Sequence, residues 1–256
     1  MSEDLIVTEA GGVLRVSFNR PQARNALTFA MYEGLRDACA GVAPGGPVRA
    51  VIVSGAGGKA FAAGTDMTQF RAFATPEDAW AYEAKMDAVL SAVERCPVPV
   101  IAAITGACTG GGAGIAACCD IRVSDGALKF GFPIARTLGN CLSAANLRRL
   151  SALMGPGRVK EMIFTARLLG AEEALSIGLV SEIAADPLAR AEEIAAQIAG
   201  HAPLTLRATK EAMRRLAEGA GAVDDHDLVA LCYMSQDFRE GMEAFLGKRA
   251  PNWSGR

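Results

Sequence analysis

Residues 106–114 hold five glycines and stand between an apolar run at 98–104 and an apolar stretch that reaches Cys118. Such a segment reads as a turn joining a buried strand to a helix. A second glycine-rich stretch, 55–64, follows the wholly apolar run 50–53 in the same way. Turns of this kind cradle phosphate, bind a dinucleotide, or aim main-chain amides at a negative charge. The phosphate pattern fails because Gly106 and Gly111 are followed by Gly112 where a lysine is needed. The dinucleotide pattern fails because no three glycines fall at i, i+2 and i+5. Amides at a helix start, beside the positive end of its dipole, fit the third use and would polarise a thioester carbonyl. The alternative is that the glycines serve only close helix–strand packing.

The rest of the chain alternates in type. Leu14, Val16 and Phe18 alternate with polar residues, as in a half-buried strand. Leu27, Met31, Leu35, Ala38 and Val42 recur at helical spacing. Thr75-Pro76-Glu77-Asp78 predicts a capped helix start, with the helix stopping before Cys96-Pro97. Short strands are expected at 121–123 and 128–130. Beyond Ser143 the chain reads as helical, with starts at Pro187 and Pro203 and a last helix over about 224–246. An α/β core followed by a helical appendage results. The 256 residues, 51% of them hydrophobic, suffice for a large core. A net charge of −2 without a basic block argues against nucleic acid as a partner. No apolar run approaches a bilayer span, and the opening MSEDLIV has no basic leader region, so no membrane partner and a cytoplasmic location are expected. Seven cysteines without metal-site spacing read as small hydrophobes in a reducing compartment, and no metal site is expected.

Five ordered segments resemble the enoyl-CoA hydratase/isomerase (crotonase) family. They are NRP with NAL at 19–27, KAFAAGTDM at 59–67, the run from Pro97 to Asp120, AEEALSIGLV at 171–180 and EGMEAF at 240–245. The resemblance implies a crotonase-like ββα spiral core at 1–195 with an acyl-CoA site. It implies a helical region at 196–256 for trimerisation and cover of CoA. The expected partner is an acyl-CoA substrate, the assembly a homotrimer or a hexamer built as a dimer of trimers, and no cofactor is expected beyond the CoA moiety. By position, the main-chain amides of Thr65 and Gly111 would form the oxyanion hole. Ala63 would meet the adenine, Arg24 the phosphates, and Phe245 and Lys248 the CoA of a neighbouring subunit. Asp66, beside them, is grouped with the CoA-binding positions, although its charge, like that of Asp120, reads as structural.

The pattern breaks where the family's hydratases carry two glutamates. Those positions are Gly114 and Ile134 here, and neither side chain can carry a proton. Such groups are each worth about two to four powers of ten in rate. The following segment, ARTLGNCLS at 135–143, also departs from the family. It offers Arg136 as a clamp for an acyl carboxylate, Asn140 as a polar contact, and Cys141 as a nucleophile or acid near a helix start. Ser143 reads equally as a helix cap. A proton carrier would come from this segment, from the helix around Trp80 to Asp87, or from the substrate. Trp80 and Tyr82 fit either an acyl tunnel or ordinary core packing. His201 and His226 lie far in sequence from both glycine segments. Two functions follow as expectations: an enzyme of thioester enolate chemistry (isomerase, lyase, decarboxylase or thioesterase) that hydrates poorly, or a non-catalytic acyl-CoA binder.

Overall fold

The computed structural model describes residues 3–71, 73–219 and 224–256. Among these, nine strands form two sheets. They are β1 (Leu5–Ala10), β2 (Val13–Phe18), β3 (Ala50–Gly55), β4 (Ala60–Ala62), β5 (Val100–Ile104), β6 (Ala107–Thr109), β7 (Ile121–Ser124), β8 (Lys129–Gly131) and β9 (Glu182–Ile183). The large sheet runs β1-β2-β3-β5-β7-β9 and the small one β4-β6-β8. Only β1 and β2 pair antiparallel; the other pairs are parallel. Eleven helices accompany them: α1 (Phe29–Ala40), α2 (Pro76–Arg95), α3 (Gly111–Cys118), α4 (Ile134–Thr137), α5 (Ala144–Met154), α6 (Pro156–Thr165), α7 (Ala171–Ser176), α8 (Pro187–Ala199), α9 (Pro203–Glu218), α10 (His226–Tyr233) and α11 (Gln236–Leu246). The first turn places both β1 and β2 in the large sheet before α1; from β3 to α4 each turn sends one strand into the large sheet, the next into the small sheet, and then a helix back. This is the expected ββα arrangement.

The pattern of apolar residues explains the layering. Val51 and Val53 of β3 join the main core, while Ala50 and Ile52 face the other way. There they meet Ile101 and Ala103 of β5 and the Ala191, Ala195 and Ile198 face of α8. Both faces of the strands are covered, so they read as continuous apolar runs rather than alternating ones. The small alanines of α8 let that helix lie close to the sheet. The helix extends through the expected boundary at residue 195, and the chain leaves the sheet only after Ala199.

Local chemistry sets the helix ends. Thr75 accepts from the Asp78 amide, and the Asp78 carboxylate accepts from the amides of Ala74 and Thr75. A capping box of this kind is worth about 1 kcal/mol. The carbonyls of Ala116 and Cys119, at the end of α3, accept from the buried Arg122 guanidinium, which also donates to the Leu179 carbonyl. This fixes α3 at its negative end. Asp120 accepts from the Val100 amide at 2.7 Å and from Lys210 at 2.6 Å, tying α9 to the core as a structural acid. The last helix expected from sequence is in fact two. Ser235 interrupts it by donating to the Cys232 carbonyl and accepting from the Phe238 amide.

Five cysteines are buried (Cys39, Cys96, Cys108, Cys118 and Cys119). Burial pushes the Cys119 thiol up to about 12, where it behaves as a small hydrophobe. Among the described residues no cluster suits a metal ion, and no helix is long and apolar enough to cross a membrane.

Candidate active site

A cavity of about 300 Å³ opens where the two glycine turns meet the faces of α2 and α4. Thr65 and Gly111 both line it. The Leu27 amide donates to the Gly64 carbonyl, and the Leu27 carbonyl accepts from the Asp66 amide. In a parallel bridge of this form, the N–H of the residue between, Thr65, turns to the opposite edge. Gly111 begins α3, and first-turn amides have no acceptor within the helix. Gly110 precedes it at φ 54° and ψ −121°, a conformation open essentially to glycine alone, which lets the chain turn sharply out of β6. Two main-chain donors from separate turns thus border one cavity.

Side chains extend this arrangement. The Tyr32 and Thr65 hydroxyls lie 2.8 Å apart, and Thr65 and Tyr82 lie 3.3 Å apart. Burial raises the pKa of both phenols, so both stay protonated. Thr65→Ala would leave the Tyr32 hydroxyl, on a side chain 1% exposed, without its partner. A buried hydroxyl in that state costs about 1–3 kcal/mol. The variant is expected to show this loss in urea unfolding, while Tyr82→Phe, on the more open side, shows less.

The chain matches the family model described as enoyl-CoA hydratase/isomerase over residues 8–256. It belongs to the enoyl-CoA hydratase/isomerase family. Crotonyl-CoA hydratase of Syntrophomonas wolfei is 34% identical over 257 residues, covering 98% of each chain. 2,3-Dehydroadipyl-CoA hydratase of Escherichia coli is 32% identical over the whole of both. A crystal structure of an enoyl-CoA hydratase/carnithine racemase from Magnetospirillum magneticum superposes with a TM-score of 0.89 at 34% identity, covering 100% of this chain and 97% of that one. The positions at which the resemblance expects hydratase acids, Gly114 and Ile134, both line the cavity. A Cβ at Gly114 would lie 3.7 Å from the Leu90 side chain, so leucine methyls border the space a glutamate would enter.

The other sequence candidates divide. Asn140 and Cys141 line the cavity at its exposed rim. Arg136 does not. On α4 the lining positions are Ile134 and Thr137, with Leu138 just beyond its end, whereas Arg136 is exposed and lies outside the lining, so the structure does not place it as a clamp inside the pocket. Asp66 is engaged within its own turn, in line with its structural reading. Its carboxylate accepts from the Thr68 amide and hydroxyl and from Arg20 at 2.9 Å. These partners, Thr68 foremost, hold the carboxyl below its usual range. It caps the short 3-10 turn Met67–Phe70. Ala63 lines the cavity, and its amide donates to the Arg24 carbonyl at 3.1 Å, so these two positions are neighbours. Phe245, 84% exposed, and Lys248 lie at the end of α11, away from this chain's cavity. Ser143 is a cap, accepting from the Asn146 amide. Tyr82 lines the cavity, whereas Trp80 is exposed outside it, and neither histidine reaches it.

Two lining residues escaped the sequence reading as individuals. Tyr32 sits among the apolar positions of α1, where helical spacing reads only as core. Glu83 shares with Tyr82, Met86 and Leu90 the face of α2 that borders the cavity. An acid placed within that apolar stripe was the available signal. Burial, and then the nearby Asp87 charge, push its carboxyl above the usual range, with the Ser143 amide opposing.

Proposed function

We propose that this chain acts on an acyl-CoA thioester, holding the thioester oxygen between the Thr65 and Gly111 amides and stabilising an enolate, and that it hydrates enoyl-CoA poorly. The observation that supports this reading is that Thr65 and Gly111, from separate turns, border one cavity whose expected acid positions are glycine and isoleucine. The donors are main chain, so they survive the loss of both glutamates. Each such donor supplies about two to three powers of ten, enough for isomerase, lyase, decarboxylase or thioesterase chemistry. Hydration needs a water placed and activated by acid–base groups, and those are missing at 114 and 134. The relatives named above as hydratases supply the acyl-CoA class, not the reaction.

CoA is the only cofactor this reading requires. A trimer or hexamer is supported by the exposed apolar side chains Phe238, Met242, Phe245 and Leu246 on α11. A reducing cytoplasmic setting suits the free thiols. The test pairs two assays on the purified protein. Crotonyl-CoA hydration is expected at most about a thousandth of ordinary hydratase turnover. Deuterium from solvent is expected alpha to the carbonyl of unsaturated acyl-CoA thioesters. Rapid hydration overturns the poor-hydratase reading. Binding without exchange or turnover would instead make the chain an acyl-CoA binder.

A further inference from the structure

We propose that Glu83 is the proton carrier of this cavity, moving a proton between the alpha and gamma carbons of a β,γ-unsaturated acyl-CoA. This rests on the enolate reading above. Three observations converge on it. Glu83 is the sole carboxylate among the described residues that line the cavity, and no lysine or arginine lines it. It is half-buried on a rigid helix, within the stripe that also presents Tyr82, Met86 and Leu90. The positions that hold acids in hydratases offer none, so Glu83 has no competitor among lining carboxylates.

The number of carboxylates selects the reaction. Adding water across a double bond draws on one group to activate water and another to protonate carbon. Moving a double bond draws on one group that takes a proton and gives it back. The Glu83 carboxylate removes a proton from the alpha carbon. The C–H electron pair becomes a dienolate whose oxygen lies against the Thr65 and Gly111 amides. The resulting carboxylic acid then protonates the gamma carbon, and the double bond moves into conjugation with the thioester. Glu83 ends as it began, and no water, oxidant or second substrate is consumed. A carboxyl raised above its usual range is better matched to carbon acids than an ordinary one. The groups acting on it are Asp87 on its own helix, the Tyr82 phenol, and the Ser143 amide from the segment before α5. Arg149 of α5 is held by Asp87 and Glu94, and Lys85 by Glu33.

The experiment compares wild type, Glu83→Gln and Glu83→Asp on 3-hexenoyl-CoA. It follows the conjugated product, deuterium exchange, and calorimetric binding of saturated hexanoyl-CoA. Glu83→Gln is close in shape and is checked by its melting temperature. It is expected to lower kcat and exchange about 100-fold or more while the dissociation constant moves less than about threefold. Wild-type kcat is expected to rise with pH through a carboxyl group titrating above the ordinary range. That acid limb should vanish in Glu83→Gln and return, with part of the rate, in Glu83→Asp. A Gln variant within about threefold of wild type overturns the Glu83 assignment and leaves the enolate reading standing. A Gln variant that folds but no longer binds hexanoyl-CoA also overturns it. Wild type that binds hexanoyl-CoA yet neither isomerises nor exchanges overturns both.

Discussion

The double variant Gly114→Glu/Ile134→Glu is expected to hydrate crotonyl-CoA about ten-thousand-fold faster than the parent chain. Both positions line the cavity that the Thr65 and Gly111 turns border. At Gly114 a new Cβ meets the Leu90 methyls at 3.7 and 3.8 Å, an ordinary contact, so the backbone need not move. At Ile134 the new carboxylate stands at the first position of α4, where a negative charge is favoured. Acid and base work as a unit, so each single variant is expected to gain far less than the square root of the double. Steady-state hydration of crotonyl-CoA, with binding of a saturated thioester as the check on the site, decides the matter. A folded, binding-competent double variant that stays at the parent rate would show that the missing carboxylates are not what limits hydration.

Gly111→Ala is expected to lower kcat for thioester chemistry by about a thousandfold, more than loss of any single lining side chain. A Cβ at this position would lie 1.7 Å from the Tyr32 hydroxyl oxygen and 2.9 Å from the ring carbon that bears it. Tyr32 is 1% exposed and has no room to swing away. The strain therefore falls on the start of α3, the element that aims the Gly111 amide. A donor turned from the reacting oxygen loses most of its effect in the transition state. Combining the change with Tyr32→Phe removes the oxygen but not the ring, so rescue is expected to be small. Deuterium exchange at saturating substrate measures the loss, and a rate within about tenfold of wild type would remove Gly111 from the proposed oxyanion hole.

Much of the scaffold was legible because it rests on local rules. The Thr75–Asp78 cap, the Ser143 cap and the apolar strands β3 and β5 follow from side-chain size and hydrogen-bonding capacity. The short strands β4 and β6 did not announce themselves. Three residues are too few for a periodic pattern, and their partners lie far along the chain. The break at Ser235 was missed because serine within a helical pattern is unremarkable until its hydroxyl is seen donating to Cys232. At the site, the two glycine turns were legible as the segments that border the cavity. The arginine at 136 was not readable. Helical rotation over the four residues of α4 decides that 134 and 137 line the cavity and 136 does not. The partners of Asp66, Thr68 and Arg20, likewise become visible only once the turn is folded. Glu83 was hidden by its helix, because orientation toward the cavity depends on how α2 lies against α3.

The direction of the Thr65 amide is set by Leu27, thirty-eight positions earlier in the chain, through bonds that involve no side chain. The edge that Thr65 presents is therefore a property of the backbone path, indifferent to which residues decorate it. A chain built on such a path can exchange one lining side chain for another, as at 114 and 134, while the main-chain edge beside the cavity keeps its course.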